Sequence, residues 1–181
     1  VGFVHGVMNT DNMLVSGETI DYGPCAFMDE YNPNIYFSSI DKHGRYSYKN
    51  QPAIMIWNLS KLAEAFIPLV DKNKEKAVIE LSEVLNLAMP TYQEYFYIEM
   101  SKKFGLKNVD QEVMNLINNY LKILMDSSVD FVLSFRDLGK LLSDYKKVDD
   151  TVFKNVKNFN NWYCEFLNLL SLKKLTKLKV S

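Results

Sequence analysis

Asn12 and Asp21 are the residues of this chain best suited to chemistry. They lie in the opening stretch VGFVHGVMNTDNMLVSGETIDYGP, where short polar side chains (Asn9, Thr10, Asp11, Asn12) interrupt apolar runs and a second isolated carboxylate, Asp21, follows inside IDYGP. Residues 13–15 and 18–21 flank Ser16 and Gly17, so the spacing predicts a short hairpin that lifts Asn12 and Asp21 to the same end. An amide oxygen and a carboxylate brought together suit a hard, oxygen-seeking cation that keeps part of its water shell and bridges phosphate oxygens. Mg2+ with a nucleotide is the natural occupant, and Mn2+ the alternative. Asp11 has two readings. Beside a divalent cation its carboxylate stays ionised at neutral pH and accepts a proton from an incoming hydroxyl, or it serves as an outer ligand to metal or water. His5 reads as a brace for the loop backbone rather than as a general base.

These side chains need a scaffold. Residues 25–51 carry turn chemistry (DEYNPN, DKHGRYSYKNQP) and no sustained period, which predicts a loop with short extended pieces. Within it Arg45 could meet a phosphate or a carboxylate, but a surface arginine tying down the loop is the favoured reading; His43 reads as loop surface. Pro52 then opens a helix where its missing N–H costs little, and Ile54, Ile56, Trp57, Leu59, Leu62, Ala63, Phe66 and Ile67 give a stripe broad enough for a buried central helix, closed or kinked at Pro68. Further helices are predicted over 77–88, from Thr91 to Lys103 with Gly105 as the stop, over 110–124 with Asp110 as cap, over 130–142 and over 151–170. Tyr92, Tyr95, Phe96 and Tyr97 read as core or groove, since no Lys or Arg interleaves them to make a base-stacking platform. Arg136 and Asp137 read as a structural ion pair, and the lysines of SLKKLTKLKVS as a solvated face.

His5 precedes Asn12 by the same interval that separates the His and Asn of the protein-kinase loop H-R-D-x-x-x-x-N, and Asp21-Tyr22-Gly23 stands where D-F-G would. The kinase pattern's catalytic Asp is replaced by Val7, which cannot accept a proton. The runs GFVHGVMNTDNM, TIDYGP and RYSYKNQPAIMIWNLSKLAEA resemble the SelO family, also called YdiU, over roughly residues 1–70, with a looser match over FVLSFRDLGKLL and around Trp162. The resemblance implies a kinase-fold protein adenylyltransferase that moves AMP from ATP, bound in a flipped orientation, to Ser, Thr or Tyr hydroxyls of proteins. It implies Asp11 as the proton acceptor, Asn12 and Asp21 as metal ligands, and Asp21 as a nucleotide contact. The family's Gly-rich phosphate loop, its paired lysine, its triphosphate-binding arginines and its carboxy-terminal NP…VLRN-like motif have no counterpart here, so the chain is expected to be a piece of a larger enzyme and inactive alone. Phosphoryl transfer through Asp11, or a non-catalytic remnant that binds metal or nucleotide, are the alternatives.

Composition supplies the outer bounds. With 181 residues, 21.0 kDa and 48% hydrophobic residues the chain fits one domain: a metal loop and hairpin (1–24), an activation-segment-like loop (25–51) and a helical bundle (52–181). The expected fold is mainly α, the carboxy-terminal lobe of a protein-kinase-like fold with a short β-hairpin at the metal site. A formal net charge of -1 gives no long-range field to gather nucleic acid or an anionic membrane. Cys25 and Cys164 lack metal-type spacing and read as reduced thiols of a cytoplasmic protein. No uninterrupted apolar run approaches the ~20 residues that span a bilayer, so no membrane is expected as a partner. ATP and hydroxyl-bearing proteins are, together with self-association through the face that an absent lobe would leave open.

Overall fold

The opening stretch rests on a single long helix, α1 (Gln51–Val70), with Pro52 in its first turn where no N–H is required. The structure, a computed structural model, describes residues 1–19, 22, 23, 25–143 and 147–178, with side chains as far as Ser171. Pro68 falls in the last turn and the helix runs on to Val70. Ahead of α1, β1 (Phe3–Val4) pairs antiparallel with β2 (Ala26–Phe27), Phe3 opposite Phe27, and their rings meet edge to face at 5.4 Å. The expected hairpin is present as one antiparallel bridge, Met13 to Thr19, closed by a turn in which Gly17 N–H donates to the Leu14 carbonyl at 3.0 Å. Gly17 takes φ 77°, a conformation that costs a glycine little.

After α1 come α2 (Lys74–Asn86), α3 (Ala88–Lys103), α4 (Gln111–Asp126), α5 (Phe131–Leu142) and α6 (Phe159–Leu178). Most starts follow from side-chain caps. Asn73 accepts from the N–H groups of Glu75 and Lys76, Asp110 from Val113 and Asp130 from Leu133. Gly105, at φ 69°, ends α3, with Leu106 N–H returning to the Ser101 carbonyl.

Three helix starts differ from expectation, and α2 opens at Lys74 rather than at residue 77 because the Asn73 side chain caps it there. The third helix begins at Ala88 rather than at Thr91, because Pro90 in a first turn removes only an N–H that had no partner to lose. The last begins at Phe159 rather than at 151, because Asn155 and Asn158 adopt left-handed backbone (φ 63° and 67°) and break the preceding run into turns.

The chain divides into two compact units, with the boundary inside α3. The site unit comprises Gly2–Phe27 and Pro33–Tyr95, and the helical unit Val1, Met28–Asn32 and Phe96–Ser181. The helical unit is held by an aromatic cluster. Tyr120 lies 4.5 Å from Trp162, Phe153 stacks on Phe159 at 3.8 Å, Phe104 meets Phe166 edge to face, and the Trp162 indole N–H donates to the Leu116 carbonyl at 2.9 Å. Residues 29–31 pair with the start of α5 through Phe131 N–H to the Asp29 carbonyl (2.6 Å) and Tyr31 N–H to the Val129 carbonyl (3.0 Å). Asp137, buried in this unit, is structural as expected, although its closer cation is Lys140 (3.0 Å) rather than Arg136 (3.8 Å), and its second oxygen accepts from Val152 N–H.

In the site unit, α1 and α2 face each other across an apolar groove of about 580 Å³ that Tyr92 and Tyr95 of α3 also line. Burial there pushes the Tyr92 phenol up to about 12. The expectation of no bilayer-length apolar segment needs correction. Tyr48–Val70 is long and apolar enough to cross a membrane by length and composition, and only 11% of its apolar window is buried. Its charged residues are Lys49, Lys61 and Glu64, of which the last two pair with each other at 2.6 Å. The same helix anchors the site through Gln51 and Asn58, which is the role its polar residues support.

Candidate active site

The loop from His5 to Met13 is held by polar side chains of α1. Gln51 receives His5 N–H on Oε1 (2.8 Å) and gives Nε2–H to the Phe3 carbonyl (3.0 Å), so one amide fixes β1 and the residue that follows it. About two turns further along, Asn58, 7% exposed, donates from Nδ2 to the Met8 carbonyl (2.9 Å) and to Met13 Sδ. The two ends of the loop therefore hang from one side chain. An unpaired carbonyl in such a place would be costly.

Within the loop, His5 is 8% exposed and its Nδ1 accepts from Val7 N–H at 3.4 Å, while its carbonyl accepts from the Cys25 thiol at 3.2 Å. The bracing role expected of His5 matches this geometry. Thr10–Asn12 forms a single 3-10 turn, with Asn12 N–H on the Asn9 carbonyl at 3.0 Å. Asn12 Nδ2 donates to the Val7 carbonyl at 3.1 Å. That bond uses the amide's donor end and leaves Oδ1 as a fixed oxygen donor of the kind a hard cation takes. Asp11 is solvent-exposed on the same turn. Asp21 lies outside the described residues, so its place relative to Asn12 and Asp11 is not described. Among the described residues no three His, Cys, Asp or Glu side chains converge on a metal position. The donor chemistry of Asn12 fits a hard divalent cation.

The loop over residues 38–50 closes the other side. The Asp41 carboxylate, 8% exposed, accepts from the N–H groups of Arg45 (2.9 Å) and Tyr46 (2.8 Å). Burial alone would push this carboxyl up, but the amides of Tyr46, Arg45, His43 and Gly44 together hold it below its ordinary 3.8. Tyr46 hydroxyl meets Asn9 Oδ1, and Asn50 Nδ2 donates to the Gly44 carbonyl at 2.8 Å. Arg45 lies on the Trp57 indole with its guanidinium carbon 4.9 Å from the ring centroid. Gln51, Asn58, Asp41 and Tyr46 are site-building residues that sequence reasoning passed over. Asn58 carried a signal, a short amide inside an otherwise apolar stripe.

The loop thus hangs from the polar side chains of α1, with the Asn12 amide locked onto its own backbone. Among known families, the one described as Protein adenylyltransferase SelO matches residues 1–180. Protein nucleotidyltransferase YdiU of Rhizobium etli (strain CIAT 652) is 43% identical over 173 residues, 94% of this chain and 35% of that protein. The protein of the same name from Clostridium botulinum (strain Eklund 17B / Type B) is 47% identical over 163 residues, 90% of this chain and 32% of its own length, and that of Agrobacterium fabrum (strain C58) 51% over 139 residues, 77% and 28%. The chain belongs to the SelO family, and it spans about a third of the length of these curated relatives.

Two outcomes follow from the anchoring geometry. Asn58→Ala leaves the Met8 carbonyl without its donor and should destabilise the site unit by about 1–3 kcal/mol, with faster amide hydrogen exchange over residues 8–13; unchanged exchange there would show that the loop does not depend on Asn58. Asp41, whose folded carboxyl lies below 3.8, contributes stability that is present above pH 3.8 and lost as pH falls through the lower folded value. Urea unfolding should therefore separate Asp41→Asn from the parent chain at pH 7, with the gap narrowing as pH falls below 3.8, and a gap unchanged with pH would refute the assignment.

Proposed function

We propose that the chain is the carboxy-terminal, catalytic-loop-bearing lobe of a kinase-like protein adenylyltransferase, transferring AMP from ATP to Ser, Thr or Tyr hydroxyls of other proteins. The observation that carries this reading is the Asn12 amide, which donates to the Val7 carbonyl at 3.1 Å and keeps its oxygen for a ligand, in a chain of the SelO family. On this reading Asn12 and Asp21 hold a divalent metal, Mg2+ with Mn2+ as alternative, and Asp21 also contacts the nucleotide. The bound metal supplies neutralisation of polyphosphate charge. Asp11 accepts the proton of the acceptor hydroxyl. The acceptor oxygen forms its bond to the α-phosphorus, the bond from the α-phosphorus to the bridging oxygen breaks, and pyrophosphate leaves with that electron pair. Val7 offers no proton acceptor, so the role falls to Asp11 on the exposed turn.

The cytoplasm is the compartment this reading takes, supported by the spacing of Cys25 and Cys164, which fits neither a metal site nor a disulfide framework. Neither nucleic acid nor membrane is taken as a partner: the net charge of -1 gives no field for either, and the polar anchors of α1 are committed to the loop. Self-association is part of the reading as well, supported by the exposed Leu14, Val15, Tyr22 and Phe27 around the loop and hairpin. Light scattering at rising concentration should show dimers or larger species of this chain; a strictly monomeric species would remove this element.

Label transfer from ATP carrying its label at the α- or the γ-phosphate, tested on this chain and on an upstream-extended polypeptide, decides the reaction. Transfer of α-label by the extended polypeptide, falling about a hundredfold or more in Asp11→Ala and abolished in Asp21→Ala, is the expected result. The chain alone should be silent, since no Gly-rich phosphate motif occurs among its seven glycines. Transfer of γ-label would make it a kinase, and silence from both would leave a binding role.

A further inference from the structure

Beside the catalytic loop lies a second cavity, of about 800 Å³, that reaches from Val7 and Asn9 to the loop over residues 40–46 and the first turn of α1. Its wall is unusual in charge. Lys42, His43 and Arg45 line it, and the one acidic wall residue, Asp41, spends both carboxylate oxygens inward on the N–H groups of Arg45 and Tyr46. No ion-pair partner neutralises Arg45 or Lys42 among the described residues, whereas Lys61, which shares the Trp57 ring with Arg45, is matched by Glu64 at 2.6 Å. Arg45 is exposed yet held, with its guanidinium carbon 4.9 Å from the Trp57 ring centroid and 5.7 Å from that of Tyr46. An arginine flattened on aromatic faces keeps its edge N–H groups free for a carboxylate and loses less side-chain freedom when it binds one.

We propose that this cavity is the acceptor-protein subsite, and that Arg45, with Lys42, captures an acidic side chain flanking the hydroxyl to be modified. The inference rests on the transferase reading above and names its substrate class, hydroxyl acceptors in acidic sequence. Three features select a peptide over a phosphate group. The cavity opens on Val7 and Asn9 of the catalytic loop, where an acceptor segment must pass. Its volume is of the size that takes several side chains rather than one anion. Ile40, Ala53 and Ile54 add apolar wall to the cationic one, which suits a peptide and not a polyphosphate.

The test is binding, measured independently of catalysis. A fluorescently labelled peptide with Ser flanked by glutamates is titrated with the full chain by anisotropy, alongside the same peptide with glutamines, and inorganic pyrophosphate is titrated separately while Trp57 emission is followed. The glutamate peptide should bind at least about tenfold more tightly than its glutamine counterpart, lose that preference in Arg45→Gln, keep part of it in Arg45→Lys, and weaken as salt is raised. Equal binding of the two peptides to the unmodified chain, or a preference that survives Arg45→Gln, would overturn the proposal. So would pyrophosphate perturbing Trp57 in an Arg45-dependent way at lower concentration than the glutamate peptide, which would assign the cations to the nucleotide. Loss of α-label transfer with the peptide preference intact would strike only the activity reading, and transfer without the preference only this one.

Discussion

The structure of the site depends on one buried amide. Asn58 sits on the inward side of α1 and holds the Met8 carbonyl and Met13 Sδ, the two ends of the segment that carries Asn9, Asp11 and Asn12. A loop of this kind has few apolar contacts of its own, because its residues are chosen to face solvent and ligand. Its order has to be imported from an element that is stable for other reasons. The helix supplies that stability by its length and by its packing against α2, and Asn58 transmits it. Gln51 repeats the device about two turns earlier, fixing β1 and the His5 amide together. The result is a loop pinned at its entrance, its middle and its exit.

This arrangement explains why so much of the fold was legible and where legibility stopped. Helices stabilised by their own caps were readable from local sequence, since Asp110 and Asp130 act on amides three residues away. Helix starts governed by a competing backbone state were not. Asn155 and Asn158 carry no periodic signal that announces left-handed backbone, and Thr91 looked like a cap only because Pro90 looked like a barrier. The metal-type amide was legible because its residue type and its neighbours are local. Its locking partner was not, because the Val7 carbonyl is a backbone group and any residue there offers one. Asp41 illustrates the same limit. Its sequence surroundings read as plain loop, and its role in shaping residues 43–46 exists only because burial and backbone amides coincide around it.

Trp57 shows how a structural residue and a functional surface become one object. Nearly half exposed at 42%, it would be an odd choice for a core position. Its ring instead carries Arg45 on one contact and Lys61 on another, and Glu64 neutralises only Lys61. Helical spacing produces that asymmetry: Lys61 is one turn from Trp57 and Glu64 one turn from Lys61, so the helix satisfies its own lysine and leaves the loop arginine with an open charge.

The placement of Val7 then constrains the chemistry further. Its side chain is apolar and offers neither a proton acceptor nor a metal ligand. The proposal therefore takes its proton acceptor from the adjacent 3-10 turn, where Asp11 is exposed and next in sequence to Asn12. In the proposed reaction this adjacency has a physical use. It would set the residue that accepts the hydroxyl proton beside the residue that would hold the cation, so that one short turn, fixed by the Asn12 N–H bond to the Asn9 carbonyl, would position both.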